Sequence, residues 1–211
     1  MKKIIALVLI IGCMLALASC KPSTDNNDNG GNGGNTNTVD ATGVAAIQKA
    51  LDDSAPKSAD ITVKFESTLG TLNGKYDVTY NDDGSATVDY SYERFNTFDE
   101  NVNRDEVKST YTGVVTVSSA GEVEGDLGGV ASVEAVSFDI NLDSSKLTTG
   151  TVTANVLKGK VSAANTEAVL GINIGYDVDI TITTGSGRVT YIVLTYTTDM
   201  GPVEITSIYH Y

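Results

Sequence analysis

The sequence predicts a mainly β (α+β) domain, in which one N-terminal helix packs on a strongly curved antiparallel sheet or half-barrel of about 8–9 strands. Two observations carry this prediction. Apolar residues recur at helical spacing in one stretch only, between Asp40 and Pro56. After Pro56, apolar and polar residues alternate with the period of two that marks a half-buried strand. A closed barrel or a two-sheet sandwich is the competing architecture.

The predicted helix begins at Asp40 or Thr42, because either side chain can accept a hydrogen bond as an N-cap. Three apolar residues then share one stripe of the helix: Val44, Ile47 and Leu51. Pro56 ends the helix, since proline cannot donate the next backbone hydrogen bond. A helix this short needs the rest of the domain to cover its apolar stripe.

The clearest sheet signal is a β-hairpin. A strand at residues 61–66 precedes it, and its own strands are predicted at 76–80 and 86–93. The turn between them, residues 81–84, ends in a glycine that can adopt positive φ. Both hairpin strands have one apolar and one polar face, which indicates a sheet solvated on one side.

Further strands are predicted along the rest of the chain, at 109–118, 132–142, 151–157, 168–183, 188–198 and 203–211. The alternation at 168–183 is the longest and exceeds the usual length of a strand. Such a strand has to twist or bend strongly, and Gly171 and Gly175 are the candidate positions for that curvature.

The N-terminus predicts export. A basic start at Met1-Lys2-Lys3 precedes an apolar stretch that is too short to span a membrane comfortably, which is typical of a signal peptide. The next four residues, Leu17-Ala18-Ser19-Cys20, resemble the lipobox of bacterial lipoprotein precursors. That resemblance implies cleavage before Cys20 and attachment of acyl chains such as palmitate at Cys20. An ordinary secretory signal, cleaved after Ala16-Leu17-Ala18, is the alternative.

Three regions follow from these signals. Residues 1–19 are the predicted lipoprotein signal peptide, residues 20–39 the lipidated cysteine with a flexible Asn/Gly-rich tether, and residues 40–211 a single β-rich domain. Removing residues 1–19 takes two lysines from a net charge of −13 and leaves −15. This acidity argues against nucleic acid or an anionic membrane surface as an electrostatic partner.

The lipobox resemblance implies an extracytoplasmic, membrane-anchored lipoprotein. Lys21 stands where an inner-membrane retention signal often has aspartate. The expected location is therefore the outer membrane of a Gram-negative envelope, or the cell surface of a Gram-positive one.

The domain outline is similar to the half-barrel of LolA-type and related lipoprotein-handling or lipid-binding domains. The resemblance covers residues 40–211 and lies in element order alone, one helix followed by long antiparallel strands, without a shared motif. It implies a half-barrel fold, and fold alone does not define a function.

Catalysis is not expected from the inventory of reactive residues. The chain has one histidine, His210, and the mature chain would keep one cysteine, Cys20. A Ser–His–acid triad would have to use His210, which we interpret instead as a polar residue on an edge strand. The sequence has no nucleotide-binding glycine motif and no His/Cys cluster for zinc, so no cofactor is expected.

Two groups of residues are candidates for binding. Four tyrosines share one face of the hairpin and form an amphipathic wall: Tyr76, Tyr80, Tyr90 and Tyr92. Tyrosine is also simply a good strand residue, which is the alternative interpretation.

The second group is an acidic loop, in which oxygen-bearing side chains occupy alternate positions: Asp99, Asn101, Asn103 and Asp105. They could bind Ca²⁺, although Arg104 and Thr110 stand where an EF-hand needs glycine and glutamate. A solvated loop is the alternative.

The sequence thus predicts a non-catalytic, lipid-anchored cell-envelope binding protein that is monomeric. It would be attached to the membrane through Cys20 and would hold an apolar or amphipathic ligand between the sheet and the helix. The alternative is a surface structural or protein-interaction module with no small-molecule ligand.

Overall fold

The computed structural model describes residues 38–96, 108–120, 122–126 and 140–211, together with two strand segments, Ala6–Leu7 and Ser137–Phe138. The elements in chain order are β1 (Ala6–Leu7), α1 (Ala41–Asp52), β2 (Ser58–Ser67), β3 (Gly70–Tyr80), β4 (Ala86–Phe95), β5 (Lys108–Val117), β6 (Val123–Glu124), β7 (Ser137–Phe138), β8 (Leu147–Thr153), β9 (Val156–Val161), α2 (Thr166–Leu170), β10 (Val178–Gly185), β11 (Arg188–Thr198) and β12 (Gly201–His210). Short 3₁₀ turns, Ser144–Lys146 and Ala163–Asn165, precede β8 and α2.

Ten strands form one sheet in the order β6-β5-β4-β3-β2-β12-β11-β10-β9-β8. All of its neighbouring strands pair antiparallel. The order is linear, so the described sheet is open, with β6 and β8 at its edges. The mainly β prediction is confirmed. Among the described residues the main sheet has ten strands in place of about 8–9, and two short helices are present in place of one. The remaining strands, β1 and β7, pair with each other.

The sheet has one apolar and one polar face, as the alternation predicts. On β2, Ala59, Ile61, Val63 and Phe65 are at most 3% exposed, and we call the face that they share the inner face. The opposite, outer face carries Thr62, Lys64 and Glu66 of the same strand, which are exposed. The inner face therefore supplies the hydrophobic core, and the outer face meets solvent.

Helix α1 covers part of the inner face, where it packs against β8, β9, β10 and β11. Asp40 is its N-cap, because the Asp40 carboxylate accepts a hydrogen bond from the backbone N–H of Gly43 at 2.9 Å. The predicted stripe is buried: Val44, Ile47 and Leu51 are 1%, 3% and 6% exposed. The predicted helix is therefore confirmed.

Ser54 fixes the end of α1 to the sheet. Its side chain is buried, and its hydroxyl donates a hydrogen bond to the carbonyl of Ala50 at 2.6 Å. The same hydroxyl accepts one from the backbone N–H of Val189 in β11 at 2.9 Å. One small side chain thus serves backbone groups of two elements that are far apart in the sequence.

Replacing Ser54 by alanine is expected to lower the free energy of unfolding by about 1–3 kcal/mol, because the buried N–H of Val189 loses its acceptor. Urea denaturation of both proteins measures the difference. The matched control is Ser119→Ala at an exposed position, where a change within about 0.5 kcal/mol is expected. An equal loss in both variants would contradict this role of Ser54.

The prediction of one long strand at 168–183 is wrong. Its first residues belong to α2, and β10 begins only at Val178. Gly171 and Gly175 adopt φ of 74° and 76°, which end the helix and reverse the chain instead of curving a strand. The Thr166 hydroxyl holds the loop back against α2 by accepting a hydrogen bond from the N–H of Ile174.

The single strand predicted at 151–157 is also wrong, because this region is the hairpin of β8 and β9. The turn residues Ala154 and Asn155 have φ of 48° and 68°, the paired positive values of a tight hairpin turn. Of the strand predicted at 132–142, only Ser137–Phe138 is a strand among the described residues.

Candidate functional site

The four predicted binding tyrosines lie on the inner face, as the alternation predicts. Tyr76 stands directly opposite Tyr90 in the β3–β4 register. Tyr76, Tyr90 and Tyr92 are only 2%, 3% and 1% exposed, and Tyr80 is half-buried beside them. These side chains are therefore part of the hydrophobic core.

Contacts within the protein hold these rings. The ring centroid of Tyr92 lies 5.7 Å from that of Tyr90 and 5.4 Å from that of Tyr111. The hydroxyl of Tyr90 donates a hydrogen bond to the carbonyl of Asp126 at 2.7 Å. The Tyr90 ring also occupies the space where a side chain at Gly113, its partner on β5, would stand. Ligand binding by the four tyrosines stays a prediction.

A polar row crosses the outer face at one level of the sheet. Its members lie on five adjacent strands, and the antiparallel register places each beside the next: Lys160, Asp179, Thr195, Glu204 and Lys64. We call these five residues the polar row. They come from five different strands, so the order and register of the strands bring them together.

Polar side chains continue the row across the outer face onto β3, β4 and β5. Lys64 is paired with Asn73, whose backbone and side-chain N–H groups donate to one carboxylate oxygen of Glu93 at 2.8 and 3.0 Å. Lys108 also forms an ion pair with Glu93 at 2.7 Å. Burial raises the pKa of Glu93, but the hydrogen bonds from Lys108 and Asn73 outweigh it and hold the pKa below its ordinary value.

Two adjoining depressions follow this level of the outer face. The first has a volume of about 440 Å³ and is lined by the whole polar row and by Tyr176 and Tyr196. The second has a volume of about 490 Å³ and is lined by Asn73 and Glu93, among others. Both depressions include Lys64 and Glu204, so they adjoin, and we call the two together the outer groove.

The first depression has both charge signs, with carboxylates in excess. Its two lysines are Lys64 and Lys160, and its four carboxylates are Glu66, Asp177, Asp179 and Glu204. Lys64 forms an ion pair with Glu66, whose hydrogen bond and charge raise the pKa of Lys64. Within the described part of the chain, no hydrogen bond or ion pair engages the side-chain heads of Lys160, Asp179 and Glu204. These three heads are available to a ligand.

Two stacked aromatic rings lie on the inner side of the sheet, opposite the polar row, because Tyr196 follows Thr195 on β11 and belongs to the hydrophobic core. Tyr176 is half-buried, and its ring lies nearly parallel to that of Tyr196, with 6.4 Å between the centroids and 17° between the planes. Tyr196 is 4% exposed, and its buried hydroxyl has no hydrogen-bond partner among the described residues. Burial raises the pKa of Tyr196, with a smaller contribution from Tyr176, so its hydroxyl stays protonated and can donate.

His210 lies on the outer face, but the prediction of an edge strand is wrong. Its strand, β12, is placed between β2 and β11. The Nε2 atom of His210 is 3.1 Å from a carboxylate oxygen of Asp60, and both side chains are about half-exposed, at 51% and 50%. Ser58, the partner of His210, lies six positions before Lys64 of the polar row on β2. This corresponds to about 20 Å along an extended strand.

Two predicted sites lie outside the described residues. They are the lipidation site at Cys20 and the calcium loop with Asp99, Asn101, Asn103 and Asp105, and both stay predictions. Where the structure describes the chain, no group of three or more His, Cys, Asp or Glu side chains could hold a metal ion. In the same part of the chain, no helix is long and apolar enough to cross a membrane.

Comparison with known proteins does not show a family for this chain. No protein-family model matches it, and no curated protein matches its sequence. Among solved structures it is similar to the crystal structure of LprF from Mycobacterium bovis, at 14% identity over 79% of this chain and 91% of that chain, with a TM-score of 0.39. A second similarity, to the dehydratase domain from the terminal module of the rifamycin polyketide synthase, has 12% identity, covers 80% and 81% of the two chains and gives a TM-score of 0.20. At these TM-scores, neither similarity carries an argument about function.

Proposed function

We propose that this chain is a non-catalytic binding protein of the cell envelope, anchored through Cys20, and that it binds its partner in the outer groove. One observation carries the choice of surface. The strand order brings Lys160, Asp179 and Glu204 to one depression, and their charged heads form no hydrogen bond or ion pair with other described residues. Concave features in which a few polar groups converge are where proteins usually bind their ligands.

The packing of the inner face supports this choice over a ligand held between sheet and helix. The residues of α1 that face the sheet are at most 7% exposed. The large inner side chains of the facing strands are buried as well, with Leu157, Ile180 and Ile182 at most 1% exposed. An apolar ligand would have to displace core contacts there, at a cost comparable to that of a large core substitution.

The reactive residues support a role without catalysis. The chain's only histidine, His210, is half-exposed and paired with Asp60, about 20 Å along the sheet from the polar row. A general base has to lie within hydrogen-bond reach of the proton that it removes, so His210 cannot act as one for a ligand in the outer groove.

A protein-interaction module is the second candidate, and exposed apolar side chains favour it. Tyr191 and Ile208 are cross-strand partners on the outer face, with exposed fractions of 36% and 42%. Val114 is 57% exposed on β5. Exposed apolar pairs of this kind are a common element of protein contacts, although this one is small.

Replacing Thr195 by arginine is expected to weaken binding at least about tenfold, which is a loss of about 1.4 kcal/mol. Thr195 is the central member of the polar row, so a long side chain there fills the first depression. The measurement is co-sedimentation of the purified full chain, in detergent micelles, with insoluble cell-envelope fragments.

The matched control is Thr87→Arg, at a half-buried position of the outer face on β4 that does not line the outer groove. This variant is expected to sediment as the unchanged chain does, and thermal unfolding checks that both variants are folded. Failure of the unchanged chain to sediment would contradict the binding function. Equal sedimentation of the two variants would place binding on another surface.

A further inference from the structure

We propose that the outer face carries a second binding surface, which docks a basic, amphipathic polypeptide segment of a partner protein. Six side chains on six adjacent strands form this surface, and we call them the acidic strip: Tyr191, Ile208, Asp60, Asp77, Asp89 and Val114. None of them lines the outer groove. The inference therefore goes beyond the proposed function, because it adds a protein partner at a separate surface.

The strand register places the six side chains in one continuous line. The line starts at the cross-strand pair of Tyr191 and Ile208, passes through one aspartate on each of β2, β3 and β4, and ends at Val114 on β5. Five strand spacings separate β11 from β5, about 24 Å across the sheet. About seven residues of an extended polypeptide cover that length.

Apolar side chains stand at both ends of the acidic strip. Tyr191 and Ile208 are 36% and 42% exposed at one end, and Val114 is 57% exposed at the other. In the part of the chain that the structure describes, these three are the large apolar side chains that are exposed. Their position in a single line gives a partner apolar contacts on both sides of the carboxylates, and such contacts provide much of the affinity of an interface.

The middle of the acidic strip holds three carboxylates directly opposite one another on neighbouring strands, an arrangement that destabilises a sheet. Asp77 forms an ion pair with Lys75 at 2.9 Å, and Asp60 lies 3.1 Å from His210, which is charged only when protonated. Asp89 is exposed and forms no hydrogen bond or ion pair with other described residues. The acidic strip therefore has negative charge available for a partner.

Lys75 provides an internal example of a cation beside these carboxylates. Its hydrogen bond to Asp77 and the charge of Asp77 raise its pKa, and the charges of Asp60 and Asp89 raise it further. A lysine or arginine of a partner would lie in the same field. A second copy of this chain is disfavoured at the acidic strip, because each copy has a net charge of −13 and the carboxylates would face each other. Charge complementarity thus selects a basic partner.

Fluorescence anisotropy tests the inference. The probe is a labelled peptide with three lysines between two pairs of leucines, titrated with the full chain in non-ionic detergent micelles against empty micelles as the blank. The peptide is expected to bind, whereas a peptide with glutamates in place of the lysines is not. Asp77→Asn combined with Asp89→Asn is expected to weaken binding at least about tenfold.

The matched control is Glu167→Gln combined with Asp199→Asn, which removes two exposed carboxylates outside both the acidic strip and the outer groove. This variant has the same net charge as the strip variant and is expected to keep binding within about threefold. Val114→Ser tests the apolar end without changing the charge, and it is expected to weaken binding at least about fivefold.

Thermal unfolding of the same variants separates docking from a structural role. Removing two facing carboxylates relieves repulsion within the sheet, so the strip variant is expected to unfold at the same temperature as the unchanged chain or at a higher one. Lost binding without lost stability assigns the carboxylates to a partner. If the strip variant unfolds at a lower temperature and Val114→Ser binds as the unchanged chain does, the inference is overturned.

The remaining outcomes keep this inference and the proposed function apart. No peptide binding above the blank, or equal weakening in the strip variant and its control, would reject the docking surface. Dimers in sedimentation velocity that disappear with Val114→Ser would assign the acidic strip to a second copy instead. Thr195→Arg changes no residue of the strip and is expected to bind the peptide as the unchanged chain does, so the groove and the strip can each fail alone.

Discussion

Replacing Tyr92 by alanine is expected to lower the free energy of unfolding by about 3–5 kcal/mol, the usual loss for a large buried aromatic residue. Tyr92 is 1% exposed, and its ring packs between those of Tyr90 and Tyr111. Truncation would leave a cavity that these neighbours cannot fill without losing their own contacts. Urea denaturation monitored by circular dichroism measures the change.

The matched control is Tyr191→Ala on the outer face. Tyr191 is 36% exposed, so the same truncation there is expected to lower the free energy of unfolding by no more than about 1 kcal/mol. A small loss for Tyr92→Ala would show that the inner-face tyrosines are not core residues. Such a result would restore them as the wall of a ligand pocket.

Replacing Gly201 by alanine is expected to lower the free energy of unfolding by about 3–5 kcal/mol, for two separate reasons. The φ of Gly201 is 144°, a conformation that residues with a Cβ rarely adopt. An added Cβ would also stand 1.8 Å from the carbonyl oxygen of Glu66. Because that oxygen belongs to the backbone of the neighbouring strand β2, it can move away only if the β2–β12 pairing is distorted.

Gly70→Ala is the control that separates the two reasons. Gly70 has a similar φ of 135°, but nothing lies within 4 Å of its added Cβ. Gly70→Ala is expected to lower the free energy of unfolding by only about 1–3 kcal/mol, which is the cost of the unfavourable φ alone. Thermal and urea unfolding of both variants give the difference, which reports the clash alone. Equal losses would contradict the close approach of Gly201 to β2.

Elements whose signals are local could be predicted from the sequence. The apolar stripe of α1 and the alternation of β11 and β12 are each complete within one segment, and the structure confirms them. The 168–183 prediction failed because alternation continues through residues whose backbone turns at Gly171 and Gly175. A period of two in the side chains does not guarantee an extended backbone.

The hairpin of β8 and β9 was missed for a different reason. Its turn contains Ala154 and Asn155, both at positive φ, where the usual sequence signal is a glycine. Alanine gives no such signal, so the sequence predicted a single strand where the structure has two.

The outer groove could not have been found from the sequence. Each member of the polar row is an ordinary outward-facing residue of an amphipathic strand. Only the order in which β12 is placed between β2 and β11 makes Glu204 the neighbour of both Lys64 and Thr195. Strand order depends on long-range pairing, for which alternation carries no information. The tyrosines were placed on the correct face, but alternation does not distinguish a ligand pocket from a filled core.

Nuclear magnetic resonance mapping of the ¹⁵N-labelled full chain in detergent micelles is the most direct test of binding in the outer groove. The titrant is the soluble fraction of disrupted cell envelopes. Binding in the groove predicts that the amide signals of Lys64, Thr195 and Glu204 shift, while those of Ile47 and Tyr92 stay in place. Shifts at Ile47 and Tyr92 with an unmoved polar row would contradict it and would place the ligand between the helix and the sheet.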